Sequence, residues 1–184
     1  DTATFYSISN CQEGLSRVTL GNFLIKRVIY EIQEELPHIK NFGTLSPIPG
    51  FVEWFSYLEE NKIKNILGSQ TDQNMSFLKS QDLKIGDNRI IENKDAIIKL
   101  VTHYIINEKS QKGLPLNDVS RFHLGNGAIV DDIIVNANIS ETGFKRSFGV
   151  MVNYLYELKN IEKNHEDYIN NKKVAFSDKL KKYL

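Results

Sequence analysis

A single cysteine, Cys11, stands among the 184 residues, so no intrachain disulfide can form and no cysteine-based metal cluster is available. One cysteine also fits a reducing compartment. An excess charge of either sign is missing too. Lys plus Arg number 23 and Asp plus Glu number 23, so no global field draws in nucleic acid. No apolar run approaches the roughly 18–20 residues that span a bilayer. The start, Asp1-Thr-Ala-Thr-Phe5, lacks the basic and apolar stretches of a secretory signal. The end, Lys181-Lys-Tyr-Leu184, is not a Ser-Lys-Leu peroxisomal address. The expected setting is therefore intracellular, cytoplasmic or mitochondrial matrix, with no membrane span and no nucleic-acid partner.

What is present reads as one globular domain, 41% hydrophobic and 25% charged. Thr4 to Ser9 alternates as a strand, and a polar, glycine-bearing loop follows from Asn10 to Gly21. Asn22 is then expected to cap a helix with an apolar face of Leu24, Ile25, Val28, Ile29, Ile32 and Leu36, ended by Pro37. A second strand is predicted from Phe42 to Leu45, stopped by Ser46-Pro-Ile-Pro-Gly50, and a helix from Phe51 to Glu60. Asn61 to Asn93 loosens into polar helical pieces, and Asp95 to Asn107 is a helix by its apolar spacing. Short strands are predicted in Phe122-His-Leu124, in Ala128 to Ala137 and in Ser147 to Leu158. The lysine- and asparagine-rich stretch after Glu157 reads as helical or frayed.

The loop Gln12 to Asn22 lies between a strand and a helix. A helix start presents unpaired backbone N–H groups and the positive end of the dipole, and glycine lets a phosphate approach the backbone. Lys26 and Arg27 near that start, with Glu31, Glu34 and Glu35 toward the other end, oppose the dipole's preference and would make sense beside a docked anion. On spacing alone, a plain strand-to-helix loop beside a solvated charged face fits equally. Neither the Gly-Lys-Ser/Thr phosphate loop nor G-x-G-x-x-G is present.

Three blocks resemble the malonyl-CoA decarboxylase family: FYSISNCQEGLSRVTLGNFLIKRV from Phe5 to Val28, TLSPIPGF from Thr44 to Phe51, and FHLGNGA from Phe122 to Ala128 followed by SFGVMVNYLY from Ser147 to Tyr156. They stand in the family's order and cover roughly half the residues. The resemblance implies an α+β fold, a mixed sheet flanked by helices as in the GNAT acetyltransferases. The chain would be the C-terminal part of that fold, with a helical insertion between about residues 56 and 118. Residues 1–184 would form a single, partial catalytic domain without the family's N-terminal helical domain and first strands. The whole protein would be a homo-oligomer.

By the same resemblance, Ser16, Arg17, Val18, Thr19, Leu20, Gly21 and Asn22 bind malonyl-CoA. Ser46 and His123 are catalytic, Ser7 and Tyr156 support them, and no metal site is implied. The implied activity is decarboxylation of malonyl-CoA to acetyl-CoA and CO2, a step of fatty-acid and malonate metabolism. It needs no cofactor, because the thioester carbonyl accepts the electron pair and CoA belongs to the substrate. Such a site must stabilise an enolate oxygen and deliver a proton to carbon, work suited to hydroxyl and imidazole groups. Taken without the family, Pro47-Ile48-Pro49 is a strand terminator, His123 a hydrogen-bonded strand histidine and Tyr156 a core residue. His38, His103 and His165 share no metal-ligand spacing. A CoA-dependent acyltransferase on the same scaffold, or a non-catalytic CoA-binding module, remains as an alternative.

Overall fold

A computed structural model describes residues 1–6, 20–68 and 75–184, with the side chains of residues 20–23 outside the description. Among the described residues four strands form a mixed sheet in the order β1-β2-β4-β3: β1 Thr2–Phe5, β2 Asn41–Pro47, β3 Ile129–Ile134 and β4 Met151–Leu155. β1 and β2 run parallel, and β4 is antiparallel to both of its neighbours. A parallel neighbour requires a crossover, which α1, Leu20–Glu35, supplies. Among its described side chains Ile25 and Ile29 are buried, one helical turn apart, while Leu24 and, just past its end, Leu36 are exposed. Of the apolar face expected from the sequence, Leu24 and Leu36 thus stay outside the core while Ile32 packs against it. Asn22 lies inside the first turn rather than capping it. The first turn asks for no intrahelical N–H partners, so Gly21 and Asn22 are accommodated there at little cost.

β2 runs two residues past the expected end. Its described pairing with β1 stops at Phe5↔Thr44, whereas pairing with β4 continues through Ser46↔Val152 and Pro47↔Met151. Beyond Thr44 the strand is paired on one side only among the described residues, so the missing N–H of Pro47 breaks no ladder on the other. Ser46 is therefore a strand residue, paired with Val152 of β4.

The described residues between β2 and β3 carry helices and no strand of the sheet: α2 Phe51–Ser56, α3 Glu60–Leu67, a 3-10 turn Met75–Lys79, α4 Asn88–Glu92, α5 Lys94–Ile106 and α6 Asp118–Gly125. The predicted helix from Phe51 to Glu60 is thus broken into α2 and the start of α3. α5 buries seven of its residues and anchors the core. Phe122-His-Leu124, expected as a strand, lies in α6. Asn117 caps that helix by accepting from the Ser120 N–H, and Ser120, His123 and Leu124 face inward at helical spacing. Ser147 likewise ends α7, Glu141–Ser147, instead of opening a strand; Phe148 closes that helix in the left-handed region.

α8, Ile161–Asn171, and a 3-10 turn Asp178–Tyr183 complete the chain. The end is not frayed. Leu180 is buried, and Val130 exchanges backbone bonds with Ala175 and Ser177 at 2.9 Å each. No helix among the described residues is long and apolar enough to cross a membrane.

Candidate active site

Residues two apart on a strand share a face, so Thr44 and Ser46 of β2 point the same way, as do Val152 and Tyr154 opposite them on β4. α6 lies against this face and brings His123 to Ser46. The Ser46 Oγ is 3.1 Å from His123 Nε2 and 3.0 Å from Thr44 Oγ1. On the other edge of the ring, His123 Nδ1 is 2.8 Å from the Tyr156 hydroxyl. The Tyr154 ring stacks on the imidazole, centroids 4.5 Å apart and planes at 23°, and Phe122 meets it edge-on. Ser46, His123 and Tyr156 are each 5% exposed or less.

A second chain of hydrogen bonds holds this arrangement, and its direction follows from donor chemistry alone. The Pro49 carbonyl can only accept, so the Asn117 Nδ2 beside it at 2.8 Å donates. The Asn117 Oδ1 then accepts from the Ser120 N–H at 2.8 Å and from the Ser120 hydroxyl at 3.0 Å. Its proton committed, Ser120 Oγ accepts from the Tyr154 hydroxyl at 2.7 Å. One asparagine thereby links the turn after Ser46, the start of the helix bearing His123 and the ring stacked on it.

Burial sets the charge states. Desolvation lowers His123 from 6.5 to about 4, so the imidazole is neutral at physiological pH. The same cause raises Tyr154 and Tyr156 well above the ordinary phenol range. Serine, imidazole and phenol thus form a neutral row. A cleft of about 320 Å³ borders it, lined by Phe5, Tyr6, Ser46, Pro47, Phe122 and His123 among others. A larger, more open hollow of about 470 Å³ between Gly50, Trp54, Tyr57 and Leu116 is lined by neither Ser46 nor His123.

Of the residues singled out in the sequence, Ser46, His123 and Tyr156 meet. Ser7, Ser16, Arg17, Val18 and Thr19 lie outside the described residues. Leu20, Gly21 and Asn22 form the first turn of α1. Lys26 and Arg27 are engaged by carboxylates, Lys26 with Glu162 at 3.0 Å and Arg27 with Glu31 at 2.8 Å, so their position has a structural cause that requires no anion. His103 pairs with Glu108 and His165 with the Gly125 carbonyl. Among the described residues no group of three or more His, Cys, Asp or Glu could hold a metal ion. Thr44, Asn117, Ser120 and Tyr154 escaped the sequence reading. Period-two spacing from Ser46 signals Thr44, and a capping asparagine ahead of a helix signals Asn117.

All 184 residues match the family model described as the malonyl-CoA decarboxylase C-terminal domain. The mitochondrial malonyl-CoA decarboxylase of Anser anser anser is 34% identical, with 100% of this chain and 40% of the relative covered. Its Rattus norvegicus counterpart is 35% identical over 97% of this chain and 40% of its own length. Among solved structures, malonyl-CoA decarboxylase from Rhodopseudomonas palustris superposes with a TM-score of 0.86 at 38% identity, over 99% of this chain and 42% of that one. The Cupriavidus metallidurans structure gives 0.84 at 37%, over 100% and 48%. The chain spans about two fifths of the curated relatives it matches.

Proposed function

The chain belongs to the malonyl-CoA decarboxylase family, and from that premise we propose that it converts malonyl-CoA into acetyl-CoA and CO2. The observation that carries this reading is the 3.1 Å contact of Ser46 with His123, two residues 77 positions apart, at the mouth of a cleft. In the reaction, the bond from the α-carbon to the carboxylate breaks and CO2 leaves. The electron pair moves into the thioester carbonyl as an enolate, and one proton taken ultimately from solvent joins the α-carbon. The thioester itself is the electron sink, so no metal or organic cofactor enters.

The protein's share is to orient, to stabilise charge and to transfer that proton. Ser46, with its hydroxyl on the cleft, hydrogen-bonds the departing carboxylate. His123 either protonates the α-carbon or stabilises the enolate. Because burial holds the ring neutral, it acts as an imidazole N–H rather than as imidazolium, a device that other enolate-forming sites also use. Removing a donor aimed at a developing oxyanion costs about 2.7–4 kcal/mol in comparable sites. Support for CoA binding at Ser16 to Asn22 is the helix beginning at Leu20, whose first-turn N–H groups suit a pyrophosphate. The curated relatives are mitochondrial by name, and an intracellular compartment, matrix or cytoplasm, accords with the substrate.

The test is incubation of the whole protein with malonyl-CoA and no amine acceptor. Release of acetyl-CoA and CO2 in equal amounts is the expected result. Acyl transfer only on addition of an amine would mark an acyltransferase, and CoA binding by calorimetry without turnover a binding module.

A further inference from the structure

We infer that Tyr156 is a positioning residue that holds His123 as its Nε2–H tautomer, so that the pair delivers a proton toward the cleft and leaves Ser46 unactivated as a nucleophile. The inference deepens the decarboxylase reading and rests on it for what the proton donor acts upon.

The argument is one of satisfied donors. The Tyr156 hydroxyl is buried, and its hydrogen-bond partner among the described residues is His123 Nδ1 at 2.8 Å. Were Nδ1 to carry the proton and donate it, the phenolic hydrogen would have no acceptor among those residues. Leaving a buried donor unmet favours the alternative by roughly tenfold. In that alternative the phenol donates to Nδ1, the ring proton moves to Nε2, and Nε2–H donates to Ser46 Oγ at 3.1 Å. The Ser46 proton is then free to point at Thr44 Oγ1 or into the cleft. Donors run in one direction from Tyr156 through His123 and Ser46 to the substrate.

The contrast with a carboxylate partner is instructive. A carboxylate at Nδ1 accepts the Nδ1 proton, leaves Nε2 as a base and stabilises imidazolium; the adjacent serine is activated. A phenol at Nδ1 does the reverse. Asp118, which lines the cleft, is mostly exposed and paired with Arg121, and no carboxylate bonds to the His123 ring among the described residues. The stacked Tyr154 and edge-on Phe122 restrain the ring from turning its nitrogens over.

Histidine-selective 15N labelling and long-range 1H–15N spectra of the whole protein read the tautomer directly. The expected spectrum for His123 has a protonated, pyrrole-type Nε2 and an unprotonated Nδ1. A protonated Nδ1 in the wild type would overturn the inference. Tyr156→Phe should lower kcat about tenfold or more, change KM less than about threefold and mix the two tautomers. An unaltered Nε2–H signal in that variant also overturns it. The wild-type spectrum decides even if the variant fails to fold. Turnover of malonyl-CoA with Nδ1–H would sink the inference alone; Nε2–H without turnover would sink the decarboxylase reading alone.

Discussion

Asn117 donates from Nδ2 to the carbonyl of Pro49 over 2.8 Å, so the residue that caps α6 is also bound to the turn that ends β2. Ser46 lies three residues before that carbonyl and His123 six residues after that cap. The distance between the two candidate catalytic groups is therefore fixed through one buried side chain. Asn117→Ala removes the cap, which is worth about 0.5–2 kcal/mol, and one of two donors to Pro49, the other being the Tyr104 hydroxyl at 3.2 Å. Urea unfolding should show a loss of about 2 kcal/mol, and kinetics a fall in kcat larger than the change in KM. Asn117→Asp keeps the acceptor and loses the donor, so it should recover only the cap's share. Equal stability of Asn117→Ala and wild type would remove the tie from the account.

Stability should fall on mild acidification through His123. Its folded value of about 4 lies below the ordinary 6.5, so between those values the unfolded chain binds a proton that the folded chain refuses. The unfolded state gains as pH falls, and the contribution is fully present above pH 6.5 and exhausted below about 4. Its ceiling is on the order of 3 kcal/mol. Urea midpoints measured across that window should slope less steeply for His123→Gln than for wild type. Parallel slopes would show that burial of this imidazole is not what is being titrated.

α5 was legible because thirteen residues carry a helical period, and β2, β3 and β4 each fall within or around an expected strand; β1, Thr2–Phe5, shares only Thr4 and Phe5 with the strand expected from Thr4 to Ser9, whose last three residues lie outside the described ones. α6 was not: three residues, Phe122-His-Leu124, fit a strand as well as a helical turn. Asn117, the capping signal that decides between them, lies five residues upstream of Phe122, outside the three-residue pattern itself. The convergence of Ser46 and His123 came from resemblance to a family, since no local rule joins residues 77 positions apart. Lys26 shows the opposite failure. Its charge looked misplaced on α1 until the fold supplied Glu162, 136 residues away, as its partner. Local reading prices a charge against its own helix and cannot see what another helix brings.

Ser46→Ala and His123→Ala in the whole protein should each lower turnover by roughly 10²–10⁴-fold while leaving CoA binding by calorimetry largely intact. Because the two groups share one hydrogen bond, their losses should not add; the double variant should be about as slow as the slower single one. Losses that multiply would mean that serine and histidine serve separate steps.

Gly127 offers a test of how tightly the His123 helix is seated. It occupies φ 81°, and a Cβ there would lie 2.1 Å from the backbone oxygen of Ile161, at the start of α8. Gly86 shares the conformation at φ 79° but has nothing within 4 Å of such a Cβ. Alanine at Gly86 therefore costs only left-handed strain, about 1–2 kcal/mol. Alanine at Gly127 costs the same strain and must also displace backbone, which adds about 1–3 kcal/mol. Each kcal/mol lowers the melting temperature of a chain this size by roughly 2–4 °C, so Gly127→Ala should melt several degrees below Gly86→Ala. The displacement also reaches the site, since the His123 carbonyl accepts from the N–H groups of Asn126 and Ala128 on either side of Gly127. Gly127→Ala should thus slow turnover where Gly86→Ala does not, and equal turnover in the two variants would mean that α6 tolerates movement at its C-terminal end.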